Sequence, residues 1–322
     1  MYTSFRMSPV VLVTGGTGLV GKAIEAVASQ FEGYSYYYAS SKDADLRDAV
    51  STAALFDRVQ PAAVIHLAAR VGGLFANMAD NLGFFEDNLA INTNVVKNCH
   101  RLKIERAVFC LSTCVFPSDA PLPIKEESLH MGPPHFSNEG YAYSKRMLEC
   151  LVRYYRNAFN YTNWVCVIPT NIYGPHDNFN LKDAHVIPAL IHKAVISKEE
   201  GKALVVAGSG TPLRQFIYSN DLARIILILL LRNGAHKHPA VICCDMECEI
   251  SINYVAGKII AAVGNEEGLV NDASKADGIF RKPASNEKLM ELLPEGFKFT
   301  PFDQGIALAV DWFIKNSKSA RI

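Results

Sequence analysis

The sequence has no surplus of charge of either sign: 32 Lys and Arg stand against 32 Asp and Glu. No bulk field draws it to nucleic acid or to an anionic bilayer, so any anion must be caught by a local site. It also lacks a long apolar run. The densest, "IILILLL" at Ile225 to Leu231, falls far short of the roughly 20 residues a spanning helix needs, and reads as a buried helix. The opening stretch "MYTSFRMSPVVLVTGG" carries one Arg and then an apolar run too short for a signal-peptide core. Zinc-finger spacing is missing as well. Eight cysteines occur, but the clustered "CCDMEC" at Cys243 to Cys248 has no His pair after it, and it reads as part of a buried strand. Cysteines without a secretory segment imply free thiols in a reducing compartment, so a cytoplasmic location and no metal are expected. No internal repeat or low-complexity linker appears, and the length suits one large or two medium domains.

What is present is an alternation. "VVLV" (Val10 to Val13), "AAVIHLAA" (Ala62 to Ala69), "AVFCLS" (Ala107 to Ser112) and "WVCVIP" (Trp164 to Pro169) are almost continuously apolar. Strands buried on both faces have that character. Between them, Val20, Ala23, Ile24 and Val27 recur at helical spacing, as do Ile91, Val95, Cys99 and Leu102. Leu148, Leu151, Val152 and Tyr155 follow the same period. Strand, helix, strand, repeated, predicts an α/β fold with a doubly wound parallel sheet. After Pro169 the chain becomes loop-rich, with a helix expected to follow Pro188. The expected division is residues 1–170 plus about 212–242 in a nucleotide-binding domain. A smaller C-terminal α/β substrate lobe would then take about 171–211 and 243–322.

Two short stretches carry chemistry. "VLVTGGTGLVGKAI" sets Gly15, Gly18 and Gly21 three apart between a strand and an amphipathic helix. Glycine there permits a tight turn, close approach of a pyrophosphate to the helix N-terminus, and close helix–strand packing. In this context the triplet predicts a Rossmann-type dinucleotide site. The next strand should end at Ala39-Ser40-Ser41-Lys42. An NAD site usually offers a carboxylate at that tip; hydroxyls and a cation suit a 2′-phosphate, so NADP(H) is expected. The second stretch is "NEGYAYSKRMLE". Tyr141 and Lys145 are four apart and share a helix face, so the ammonium is expected to lower the phenol pKa and make Tyr141 a proton donor. Tyr143 has Met147 at that offset and reads as packing.

With Ser112 at the end of the fourth strand, these features resemble the extended short-chain dehydrogenase/reductase family. Members use such a Ser, Tyr and Lys with a nicotinamide cofactor. "LSTCVFP", "AARVGGLFANMADN", "VIPTNIYGPHDNF", "HVIPALIHKA" and "GSGTPLRQFIY" narrow the resemblance, from Val11 to about Trp312, to one nucleotide-sugar branch. Its members invert C3 and C5 of GDP-4-keto-6-deoxy-D-mannose and reduce C4 to give GDP-L-fucose. The resemblance implies Ser112 as hydrogen-bond partner of the substrate oxygen, Cys114 as base, His185 as acid, Tyr141 as proton donor and Lys145 on the nicotinamide ribose. A thiol needs only a modest shift to act as base near neutrality, and histidine can donate a proton there. Two positions after Ser112, Cys114 should point into the ligand crevice.

The cofactor set implied is Gly15, Gly16, Thr17, Gly18, Leu19, Val20 and Gly21, then Ser41, Lys42, Asp45 and Leu46. Leu67, Ala68, Ala69, Pro169, Thr170, Asn171 and Ile172 complete it with Tyr141, Lys145 and His185. Asn171, Val186, Lys193, Arg214, Lys275 and Asp277 are implied for the nucleotide sugar. Arg grips phosphate with two donors and Lys as a point charge. "DASKADGIFRK", Asp272 to Lys282, resembles the branch's substrate-lobe loop. One departure stands out: the branch carries Trp before "GSGTP", and here the residue is Ala207. The resemblance also implies a homodimer formed through helices near residues 90–105 and 145–158. Two rivals remain: an epimerase or dehydratase that keeps NAD tightly bound and consumes no NADPH, and a non-catalytic NADP-binding regulator.

Overall fold

The structure, a computed structural model, describes residues 8–275, 277 and 279–322. Residues 1–7 of the N-terminal stretch weighed as a signal peptide, and two positions of the Asp272 to Lys282 loop, lie outside the described residues. The chain opens with strand β1 (Val10–Thr14), helix α1 (Leu19–Val27), β2 (Ser35–Ala39), α2 (Ala49–Val59) and β3 (Ala63–His66). Helices α3 (Leu74–Ala79) and α4 (Asn81–Arg101) lead to β4 (Arg106–Cys110), α5 (Glu139–Phe159) and β5 (Asn163–Pro169). Then come β6 (Asn171–Tyr173), α6 (Val186–Glu199), β7 (Leu204–Ala207), β8 (Leu213–Tyr218), α7 (Ser219–Leu231) and β9 (Ala240–Cys243). The chain ends with β10 (Glu249–Ser251), α8 (Ile252–Val263), β11 (Leu269–Asp272), α9 (Glu287–Met290) and α10 (Phe302–Asn316).

Six strands form one sheet in the order β2-β1-β3-β4-β5-β9, every pair parallel. The apolar strands are buried along their length because helices cover both faces. One face packs Leu12, Val64, Phe109 and Trp164 against Val95, Cys99, Leu148 and Val152 of α4 and α5. The other packs Val11, Val13 and Ile65 against Ile24 of α1 and Ile225, Ile226 and Leu229 of α7. The "IILILLL" run is thus buried helix. Strand order reverses between β2 and β3 around β1, and that switch point opens a crevice above the carboxyl ends of the strands.

A second body surrounds a sheet of β10, β8 and β6 and the pair β11–β7. Tyr173, Phe216, Tyr218, Val255, Ile259 and Phe313 form its core. Because β8 hydrogen-bonds to β6 and β10, residues 213–218 belong with this sheet, and the return to the larger one comes at α7. Leu289, Leu292, Phe297 and Phe299 also pack back onto the larger sheet.

Three local expectations change. Helix α6 begins at Val186, before Pro188. Proline fits there because a helix's first turn has no intrahelical partners for its N–H groups. "CCDMEC" is only partly strand: Cys243 ends β9 and Cys244 is buried beyond it, whereas Met246 is exposed. Ser112 and Cys114 lie past the end of β4, in and before a single 3₁₀ turn at Thr113–Val115. At the outer edge of the sheet, Glu126 Oε1 accepts a hydrogen bond from the Ile242 N–H at 2.8 Å.

Candidate active site

The glycine loop fills the β1–α1 turn. Gly15 has φ +70°, and a Cβ there would stand 2.8 Å from the Ala68 nitrogen. A Cβ on Gly21 would overlap the Gly16 carbonyl, since helix and loop touch backbone to backbone. Gly21→Ala is therefore expected to cost about 1–3 kcal/mol of stability and to raise the Kd for NADPH; thermal unfolding and cofactor fluorescence measure the two. Helix α1 has no side-chain cap and no acidic residue in its first turn, so its N–H groups and dipole remain available to a phosphate.

A cavity of about 950 Å³ runs from this loop along the strand ends. Gly15, Thr17, Gly18, Leu19, Val20, Gly21, Ser41, Asp45, Leu46, Leu67, Ala68 and Ala69 line it, followed by Ser112, Tyr141, Lys145, Pro169, Thr170, Asn171, Ile172 and His185. Gly16 stands behind the wall, its N–H donated to the Ala39 carbonyl. Lys42 is exposed and absent from the lining, which instead contains Arg47. The carboxylate nearest the β2 tip, Asp43, is turned inward. It accepts from the Ser40 N–H and hydroxyl and from Tyr37, which hold its carboxyl below the usual range. Ser40 and Ser41 line the cavity, the Ser40 hydroxyl with its hydrogen on Asp43. Inside the cavity, the Thr170 hydroxyl is buried without a partner among the described residues. Uncapped helix, glycine cradle, tip hydroxyls and orphaned hydroxyl together fit a bound NADP.

The reactive groups cluster deeper in the cavity. Lys145 is buried and donates to the Cys110 carbonyl at 2.8 Å, with its nitrogen 5.8 Å from the centre of the Tyr141 ring. The expected lowering of the Tyr141 pKa is not found: burial, with Cys114 and Cys110 nearby, raises it well above the ordinary phenol value. Burial also lowers Lys145. Desolvation governs here: the ammonium donates to a backbone carbonyl, and no hydrogen bond joins it to the phenol among the described residues. Tyr141 stays protonated, which is the form a donor needs.

Ser112 accepts the Cys114 N–H at 3.4 Å, and its hydroxyl hydrogen is within reach of the Cys114 sulfur. Ser112 and Thr113 make the wall, whereas Cys114, expected in the crevice, is half-buried and lines neither cavity. The thiol is pushed up by burial, against the hydrogen bond from Ser112 and the charges of Lys145 and Lys282. His185, open to the crevice on one side and packed in protein on the other, is pushed down by burial and raised slightly by Asp183. Both shifts oppose the sequence expectation: without ligand, base and acid alike are neutral near pH 7.

A second cavity of about 490 Å³ adjoins the first, and Asn171, Ile172 and His185 line both. Val186, Arg214, Asp277 and Ala207 line it as well. Arg214 donates to the Leu213 and Ile279 carbonyls, and Asp277 accepts from the Ser209 N–H and hydroxyl. Lys193 and Lys275 are exposed and outside both linings. Sequence reasoning missed Arg47, Arg70, Asp87, Asp177 and Arg321 in the larger cavity. Only their charge marked them, Asp87 within α4 and the others outside the named helices and strands.

A family model described as the NAD dependent epimerase/dehydratase family matches residues 11–243. The GDP-L-fucose synthase of Dictyostelium discoideum is 47% identical over 313 residues, 97% of each chain. The probable GDP-L-fucose synthase of Drosophila melanogaster is 46% identical, over 97% of this chain and 99% of its own. A GDP-L-fucose synthetase from Naegleria fowleri, crystallised with NADP, superposes with a TM-score of 0.91 at 45% identity, over 98% of this chain and 95% of its own.

Proposed function

Since the chain belongs to the NAD dependent epimerase/dehydratase family, and within it to the GDP-L-fucose synthases, we propose that it converts GDP-4-keto-6-deoxy-D-mannose to GDP-L-fucose with NADPH. The observation that carries this reading is the meeting of the two cavities at Asn171, Ile172 and His185. A dinucleotide-sized space and a nucleotide-sugar-sized space share one wall, and Ser112, Tyr141 and Lys145 line the first of them.

The C4 ketone dictates the order of events. While it is present, the C–H bonds at C3 and C5 are acidic, because the charge spreads onto oxygen. Once C4 is an alcohol that acidity is gone, so inversion precedes reduction. In this reading Cys114 removes the proton at each centre and His185 returns one on the opposite face of the ring. The Ser112 hydroxyl donates to the C4 oxygen and holds the negative charge that develops there. NADPH, when bound, supplies hydride to C4. Tyr141 then gives its proton to the C4 oxygen, and Lys145 orients the ribose and balances the charge left on the phenol. Gly15 to Gly21, Ser41, Asp45 and Leu46 hold the cofactor. Arg214, Asn171, Val186 and Asp277 hold the GDP end. Lys42, Lys193 and Lys275 belong to the same reading as mobile cations that close on phosphate when ligand arrives.

A run in deuterated water tests the order. Deuterium is expected at C3 and C5 of the product, with one NADPH oxidised per turnover. Product without label at either carbon reduces the reading to a simple ketone reductase. Turnover without net NADPH loss favours the epimerase rival with bound NAD.

No described helix is long and apolar enough to cross a membrane; the free thiols support the cytoplasmic location in this reading. Helices α4 and α5 pack together, and Met147, Tyr154 and Phe159 of α5 are exposed. Those apolar side chains support a homodimer formed through the two helices.

A further inference from the structure

Beneath the site lies a row of buried polar side chains to which no role has yet been given. Thr14 ends β1, His66 ends β3, Asn92 lies in α4, and Ser144 sits in α5 between Tyr141 and Lys145; all four are fully buried. Thr14 Oγ1 is 2.8 Å from His66 Nδ1, and His66 Nε2 is 3.0 Å from Asn92 Oδ1. Asn92 Nδ2 donates to the Ser144 carbonyl at 3.2 Å. The Ala68 N–H approaches Thr14 Oγ1 at 3.4 Å, and the Ser144 hydroxyl donates to the Tyr141 carbonyl at 2.7 Å.

Chemistry fixes every direction in this row. A carbonyl only accepts, so Asn92 must turn its NH₂ to Ser144 and its oxygen to His66. That oxygen also only accepts, so His66 carries its hydrogen on Nε2. The imidazole is neutral: burial first, and the Lys145 charge second, hold its pKa down at about 3, against the hydrogen bond from Asn92. Nδ1 is therefore bare and accepts the Thr14 hydroxyl. The charged or titratable groups facing the ring are Lys145 from α5 and, beyond it, Cys110 from β4.

We propose that Thr14, His66 and Asn92 form a directed hydrogen-bond chain that positions the Tyr141–Lys145 turn relative to the floor of the cofactor site. One end of the chain is the residue before Gly15. The other is the carbonyl adjoining Lys145. A buried core of this size needs no four-membered polar relay to be stable, since unpartnered polar groups are costly and apolar ones are not. What the relay supplies is registry at the crevice between β1 and α5, whose side chains deeper down share one apolar core. Thr14, His66 and Asn92 are thus positioning residues, and the proposal rests on the reductase reading above.

The test compares Thr14→Val, which deletes the hydroxyl at constant shape, with Thr14→Ser, which keeps it. Turnover by the unaltered protein checks the reductase reading separately. Single-turnover NADPH oxidation is expected to slow about tenfold in Thr14→Val, with the Kd for NADPH within about twofold, and to recover in Thr14→Ser. Nitrogen-15 NMR of the ligand-free protein needs no substrate: the His66 signals should show hydrogen on Nε2 only from pH 5 to 9, with Nδ1 shifted in Thr14→Val. Hydrogen on Nδ1 in the unaltered protein, or a Thr14→Val hydride-transfer rate equal to that of the unaltered protein, overturns the proposal.

Discussion

Cys114→Ala is expected to stop hydrogen exchange at C3 and C5, by roughly 10²- to 10⁴-fold, while NADPH binding is retained. The reduced product should then carry the configuration of the starting sugar. Cys114 is half-buried and lies outside the cavity's glycine cradle, so shortening it leaves the cofactor site intact. The measurement is mass-resolved exchange in deuterated water alongside cofactor fluorescence. Exchange at the normal rate would remove Cys114 from the inversion and direct attention to Tyr141 as the base.

The pH dependence of exchange follows from the two opposed shifts. Cys114 ionises above its ordinary value of 9.0 and His185 below its ordinary 6.5. Inversion needs thiolate and imidazolium together. Between the two pKa values, tenfold more thiolate per pH unit is offset by tenfold less imidazolium, and the rate is flat. Below the His185 value the imidazole is already charged and thiolate keeps falling, so the rate falls with decreasing pH. Above the Cys114 value the thiol is already ionised and imidazolium keeps falling, so the rate falls with increasing pH. The profile of kcat/KM for exchange should be a plateau reaching below 6.5 and above 9.0. A narrow peak between ordinary values would mean that ligand binding had reversed both shifts.

Tyr141→Phe should have the complementary effect. Without the phenol, hydride arrives at a carbonyl whose oxygen has no proton donor, and NADPH oxidation is expected to fall roughly 10²- to 10⁴-fold. Exchange at C3 and C5 should continue, because neither Cys114 nor His185 is touched. Stopped-flow absorbance of NADPH and deuterium content of recovered substrate separate the two. Since burial keeps Tyr141 protonated, the alkaline limb of the reduction rate should lie above the ordinary 10.0. A lower limb would restore Lys145 as the controlling influence.

These expectations rest on residues that differ in how visible they were. The parallel sheet was legible because strands covered on both faces have nearly continuous apolar sequences, as Val64 and Ile65 do in β3 and Val165 and Val167 in β5. The glycine loop was legible because Gly15 and Gly21 each answer a backbone collision. Burial effects were not legible. Nothing in a four-residue spacing says that Lys145 will donate to the Cys110 carbonyl and that desolvation will govern Tyr141. Nor does spacing choose between Lys42 and Arg47, since five residues of loop decide which cation turns toward the switch point. Lys193 illustrates the same limit: the helix was readable, but its outward face was not. The polar row from Thr14 to Ser144 draws on four separate segments, and no one of them announces the others.

The carboxylate that Glu126 lays against β9 from outside the sheet has a further consequence. A sheet that stops at β9 would otherwise offer unpaired peptide groups to any extended segment drifting past. Glu126 occupies the Ile242 donor, and Lys288 sits 3.5 Å from its second oxygen. An intruding β-segment would have to evict an anion that is already neutralised. At this edge of the sheet the anion stands where a strand from another copy would otherwise pair.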